Sequence, residues 1–154
     1  MTATLDMDTS QFAASIEAEL ANVKVPCQAA MAGVFADAAY NSFGEGGGGR
    51  MSEWKDLSTK YAKKYHGGNR TPTLVLSGAL RESIRDGIDT TNPDFASVST
   101  DVPYATIHQF GLESEEGFPI PARPFFPIVS NDVYEPVAVE CIEACENKLK
   151  ELLQ

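Results

Sequence analysis

Two stretches decide how this chain is read: Tyr104-Ala105-Thr106-Ile107-His108-Gln109-Phe110-Gly111 and, shortly after, Ile120-Pro121-Ala122-Arg123-Pro124-Phe125-Phe126. In the first, Pro103 suits the opening of a short helix that carries Tyr104, Ile107, His108 and Phe110 and stops at Gly111. In the second, Pro119, Pro121 and Pro124 hold the backbone extended, because proline fixes φ and steers the residue before it away from the helical region. One arginine, Arg123, sits among apolar neighbours. Such an arginine calls for a carboxylate partner, within the fold or across an interface, ahead of a substrate. The region reads as a docking or assembly surface rather than a reaction centre.

On the N-terminal side, Ser77 is a candidate cap for a helix that buries Leu80 and Ile84. Ile84–Ile88 and Ala96–Thr100 read as strands of a hairpin through Thr90-Thr91-Asn92-Pro93-Asp94. Thr73–Leu76 is a short extended run. Before it, Ser58 or Thr59 caps a basic helix from Lys60 to Tyr65, ended by His66-Gly67-Gly68-Asn69. Trp54 and Leu57 belong to a segment that re-enters structure, with Trp54 as a partly buried anchor whose N–H is bonded. From Ser10, Phe12, Ile16, Leu20 and Val23 recur at helical spacing under a Thr9 or Ser10 cap. Pro26 marks either a kink or the first turn of a second, Ala-rich helix that runs to Phe43. On the C-terminal side, Asn131 or Asp132 caps a last helix with Val137, Cys141, Cys145, Leu149 and Leu152 on one face.

These elements predict an α+β fold, a small antiparallel sheet packed by N-terminal helices and a C-terminal helix, not an alternating βαβ order. A length of 154 residues fits one domain over 1–154, with flexible residues 1–9 and flexible loops at 44–52 and 112–119. Trp54, Leu76, Leu80, Tyr104 and Phe110 are the expected core, and Gly78 and Gly111 the positions where backbone geometry needs glycine.

The chain is 43% hydrophobic and 22% charged, as globular proteins are, and has no apolar run long enough for a membrane span. Its first residues lack the basic and apolar regions of a secretory signal, which places it in the cytoplasm of the cell that makes it. A net charge of −10 disfavours general nucleic-acid binding, which rests on neutralising phosphates. The charge is uneven. Arg50, Lys55, Lys60, Lys63, Lys64 and Arg70 face only Glu53 and Asp56, whereas Asp86–Glu116 holds seven acids and no lysine or arginine. One basic and one acidic segment allow copies to pair head to tail; two solvated faces are the plainer alternative.

Motifs for chemistry are weak. The odd count of Cys27, Cys141 and Cys145 argues against a disulfide framework. Cys141 and Cys145 suit small core residues better than zinc ligands. Gly46–Gly49 lacks the Gly-Lys-Ser/Thr of a phosphate loop. Glu113, Glu115 and Glu116 lack the calcium-loop pattern and read as a solvated loop. His108 has no nucleophile context, so a structural histidine outweighs a small hydrolase built on it with a carboxylate. No cofactor is expected.

The chain resembles the phage virion morphogenesis or tail completion family of tailed-phage neck proteins. The matching pieces run in order: Phe43 with its Gly-rich loop, Glu53-Trp54-Lys55-Asp56-Leu57-Ser58, Leu76-Ser77-Gly78-Ala79-Leu80-Arg81-Glu82-Ser83-Ile84, Thr100–Gly111 and Ile120–Phe126. The family often has Thr-Gly-x-Leu where this chain has Ser77-Gly78-Ala79-Leu80. The resemblance implies a non-enzymatic virion protein, assembled in the host cytoplasm, that completes the tail or forms part of the neck. It would do so as a homo-oligomeric ring, a hexamer, meeting the tail tube and sheath or head-side neck proteins. A head-side connector component in passing contact with DNA is the alternative. Lys60, Lys63, Lys64, Glu113, Glu115, Glu116, Arg123, Phe125 and Phe126 are the expected assembly residues. Trp54, Leu57, Leu76, Gly78, Leu80, Tyr104, His108, Phe110, Gly111, Pro121 and Pro124 are the expected structural motif.

Overall fold

A computed structural model describes residues 9–44, 54–69, 74, 77–113 and 119–154. Leu76, Glu115, Glu116, residues 1–8 and the four-glycine stretch lie outside the described residues. Of the run expected to be extended over 73–76 only Leu74 is described, and its φ of 64° is left-handed.

The longest element is one helix, α1 (Thr9–Asn41), which carries Pro26 in its interior. Of the two readings of Pro26, a kink or the start of a second helix, the second does not hold: one helix runs through it. Proline removes one main-chain bond from a helix, and packing against the rest of the chain compensates for it here. Cys27, Ala32, Ala36, Ala39 and Phe43 are buried at spacings of four, three or five residues, so a stripe of mostly small side chains faces inward along the second half of the element. Small residues let neighbours approach closely. The C-terminal helix α5 (Glu135–Leu152) uses that stripe. Its Cys141 thiol points at the Met31 carbonyl and the Cys27 thiol at the Cys145 carbonyl, which makes α1 and α5 antiparallel. Burial pushes both the Cys27 and Cys141 thiols up, as expected of interior cysteines.

Two further helices follow, the second of which packs on the C-terminal part of α1. The short α2 (Thr59–Tyr65) is capped by Ser58, whose Oγ accepts the Tyr61 N–H, and buries Ala62. In α3 (Ala79–Asp86), Leu80 and Ile84 are buried, as their four-residue spacing predicts. Ile84 thus belongs to the helix and not to a strand: the alternation of Leu80/Ile84 with Arg81/Arg85 has the helical period, and the helix runs on to Gly87. The capping position falls on Gly78, at φ 78°, rather than on Ser77, although Ser77 Oγ still accepts the Ala79 N–H. Arg81 and Arg85 place their guanidinium carbons 3.9 and 3.7 Å from the Tyr40 ring centre. Arg85 also pairs with Asp37 at 2.9 Å, and Tyr40 donates to Glu82, so this face of α3 is laced to α1.

The expected small sheet is two separate antiparallel hairpins. In the first, β1 (Ile88–Asp89) pairs with β2 (Ser97–Val98). Its loop is tied by the Asp89 carboxylate to Thr91 and anchored to α1 by a Lys24–Asp94 ion pair of 2.8 Å. Both contacts lower the acids' proton affinity, Thr91's hydrogen bonds at Asp89 and Lys24 at Asp94. In the second, β3 (Ile128–Val129) pairs with β4 (Asp132–Val133) across Ser130 and Asn131, which take φ of 53° and 71°. Two positive φ values at a two-residue loop are the turn that matches the twist of paired strands. Asn131 and Asp132 are thereby used in the hairpin and do not cap α5. That helix starts after Tyr134 with Pro136 in its first turn, where a missing N–H costs nothing.

The core lies where these pieces meet: Ala36, Ala39, Phe43, Trp54, Leu80, Ile84, Ala105 and Phe125, with Val98, Val102 and Phe126 against it. Phe43 meets the Trp54 ring edge-on at 5.3 Å and the Phe125 ring at 5.6 Å. Tyr104 and Phe110 are not part of it; Phe110 is 76% exposed. The helix that Tyr104 precedes and Phe110 ends, α4 (Ala105–Phe110), has six residues and one inward face, which Ala105 and Gln109 occupy at four-residue spacing. Tyr104 and Phe110 fall on the other side.

Candidate functional site: a clamped strut behind charged faces

The segment Pro119–Phe126 crosses the protein in an extended path, so its main-chain groups need partners from elsewhere. Ile120 bridges Leu112 through two 2.9 Å bonds. The Arg123 N–H donates to the His108 carbonyl at 2.6 Å. Gln109 Oε1 accepts both the Phe125 and Phe126 N–H groups at 3.0 Å, and its Nε2 donates to the Phe126 carbonyl. From the opposite side, Trp54 Nε1 donates to the Pro124 carbonyl at 2.9 Å. The segment is thus a strut held between α4 and residues 54–56.

Arg123 completes the clamp. It is 6% exposed, and its Nε and Nη2 donate to the main-chain carbonyls of Lys55 and Asp56 at 3.0 and 3.4 Å. Main-chain oxygens thus take the place where a carboxylate was expected. Burial lowers the guanidinium's proton affinity, and the Tyr61 hydroxyl partly offsets this; an arginine stays charged regardless. Phe125 is interior, and Phe126 is half-buried, stacked on Phe35 at 5.8 Å. Trp54, Leu57 and Leu80 are buried, and Pro121 and Pro124 half-buried.

Gln109 was missed by sequence reasoning, which took the aromatic residues beside it for the inward ones. The signal was its spacing of four from Ala105. Replacing it with leucine strands two N–H groups and a carbonyl; each buried orphan costs about 1–3 kcal/mol, and with Phe126 only half-buried Gln109→Leu is expected to lose about 3–5 kcal/mol in urea unfolding.

His108 is half-buried, its ring edge-on to Tyr104 at 5.6 Å, and its Nδ1 is buried without a hydrogen-bond partner among the described residues. Burial, then the nearby Arg123 charge, pulls its pKa below the ordinary 6.5. The folded state therefore resists protonation more than the unfolded chain does, and stability falls as pH drops below about 6.5. Unfolding midpoints at pH 7.5 and 5.5 should differ in the wild type, and less so in His108→Gln.

The exposed charges lie apart from the strut. Lys60, Lys63 and Lys64 stand on α2, beside Tyr61 and Tyr65, whose rings pack at 4.9 Å. Glu113 is exposed near Phe110 and Leu112. Two acids of the 86–116 segment, Asp89 and Asp94, already have partners within the chain. No cluster of metal-ligating side chains occurs among the described residues, and no helix there is long and apolar enough to cross a membrane. On the side of α1 that faces α5, Met31, Phe35, Phe95, Val98, Val133 and Ile142 line an open apolar groove of about 650 Å³. It was not foreseen, because it forms between four elements distant in sequence.

The strut is thus stiffened by proline and fixed through its main chain, with exposed lysines on α2 apart from it. The model of the phage virion morphogenesis family matches residues 7–139, and the chain belongs to that family. The matched interval contains the strut and both of its clamps. Membership makes it a phage morphogenesis protein and speaks for a structural rather than catalytic part. No curated protein and no solved structure matches the chain.

Proposed function

We propose that this protein completes the phage tail or forms part of the neck, as a homo-oligomeric ring, a hexamer, that joins the tail to the DNA-filled head. The observation that carries the reading is the family match across residues 7–139. Segregated charge supports the ring: a closed ring needs two different, complementary faces on each copy. The partners are further copies, then the tail tube and sheath or the head-side neck proteins, and the chain's place is the virion neck or tail end. A second reading, a head-side connector component in contact with DNA, draws on exposed Lys60, Lys63 and Lys64.

In vitro complementation tests the first reading. Purified protein added to a lysate of a phage lacking only this chain should raise the infectious titre by joining preformed heads and tails. An unchanged titre, with heads and tails both present and competent, would overturn it.

A further inference from the structure

We propose that the basic face of α2 on one copy docks on the acidic, apolar outer face of α5 on the next copy, making this the contact between neighbouring copies of the ring. The inference rests on the self-assembly reading above.

Each face is complete on described residues. On α2, Tyr61 and Tyr65 are exposed and packed ring to ring, with Lys64 Nζ 4.8 Å from the Tyr65 ring centre; Lys60 lies next to Lys64 around the helix, and Lys63 next to Lys60 on the side away from the tyrosines. Two tyrosine rings packed at a tilt of 45° form a large, stiff contact area of the kind that anchors interfaces. On α5 a stripe that ends on the exposed Lys150 carries Glu135, Glu143 and Glu146, with Val139 (49% exposed) and Ile142 (55% exposed) in its middle. At 3.6 residues per turn these six fall within roughly a third of the helix circumference. Ile142 also borders the apolar groove. One face is aromatic and basic, the other aliphatic and mostly acidic, and Lys60, Lys63, Lys64, Glu135, Glu143 and Glu146 form no ion pair among the described residues.

The two faces cannot satisfy one another within a copy. Trp54, a few residues ahead of α2, packs on Phe43, just past the C-terminal end of α1. The middle of α5 lies beside Cys27 and Met31. Ten to fourteen residues of helix separate Met31 and Cys27 from the end of α1 at Asn41, roughly 15–21 Å at 1.5 Å per residue. Two complementary faces set apart in this way make a head-to-tail contact, which closes into a ring when the rotation allows. Within the acidic 86–116 segment Asp89 and Asp94 are already engaged, so α5 offers the denser set of open carboxylates.

Sedimentation velocity on the purified full chain tests this with Lys63→Glu/Lys64→Glu, Glu143→Lys/Glu146→Lys and the four changes combined, each checked for unaltered helix content. The wild type should assemble. Each double reversal should weaken assembly about a hundredfold, since like charges facing each other cost several kcal/mol, and the combined variant should recover it. Loss in both doubles without recovery overturns the pairing. Wild-type assembly that neither double reversal disturbs overturns this interface and leaves the ring standing. A loss seen with Glu113→Lys instead moves the contact to the 86–116 segment. A wild type that stays monomeric removes the ring and this contact together. Retention on duplex DNA that Lys63→Glu/Lys64→Glu abolishes, with assembly untouched, makes α2 a nucleic-acid face.

Discussion

Phe125→Ala lowers the stability of this chain by about 3–5 kcal/mol, the range for removing a large aromatic side chain from a packed core. Phe125 is 1% exposed and sits against Phe43 and Phe126, with ring centres at 5.6 and 4.8 Å. Its own N–H is held by Gln109, so the backbone cannot slide in to fill the space. A cavity therefore persists, and its unfilled volume adds to the lost transfer energy. Small domains are stable by only about 5–15 kcal/mol, so the variant approaches unfolding at room temperature. Urea unfolding followed by Trp54 fluorescence measures this directly, because Trp54 belongs to the same cluster. A loss under about 1 kcal/mol would mean that the strut does not pack as described. Lys63→Glu is the useful contrast: an exposed substitution should leave the midpoint within about 0.5 kcal/mol of wild type.

Gly111→Ala costs about 2–6 kcal/mol, combining backbone strain of about 1–3 kcal/mol with a steric clash of similar size. Gly111 ends α4 at φ 78° and ψ 175°, a region open essentially to glycine alone, while its N–H closes the helix on the Ile107 carbonyl. An added Cβ would lie 2.9 Å from both the Ala122 nitrogen and the Ile120 oxygen. Both are main-chain atoms of the strut and cannot swing away. Gly78 separates the two contributions. It has the same φ of 78° but nothing within 4 Å of an added Cβ, so Gly78→Ala should cost only the left-handed strain, about 1–2 kcal/mol. Equal losses at the two positions would show that the strut does not pass so close to Gly111.

Much of the fold was legible because local chemistry and final structure agree. The Ser58 cap, the Leu80/Ile84 face and the Gly111 stop were all readable from short spacings, and each formed. The errors share a cause: burial of a short element is decided by its neighbours. Phe110 and Tyr104 look like core residues, yet α4 turns Gln109 inward because the strut's N–H groups need an acceptor. Pro26 signals a break, yet the long contact with α5 carries α1 through it. The Ser130-Asn131 turn was overlooked because Asn and Asp also cap helices, and only pairing with Ile128–Val129 selects the hairpin. For the site, the motif pieces were visible in order, and what they build is chiefly an internal clamp. The groove and the α5 stripe carried no motif, since exposure of Val139 and Ile142 depends on which face α1 covers.

Electron microscopy of lysates from a phage or prophage that lacks only this chain tests the central claim most directly. DNA-filled heads lying apart from tails, or tails of uncontrolled length, are the predicted result. Normally joined particles would contradict a role in completing the tail or the neck.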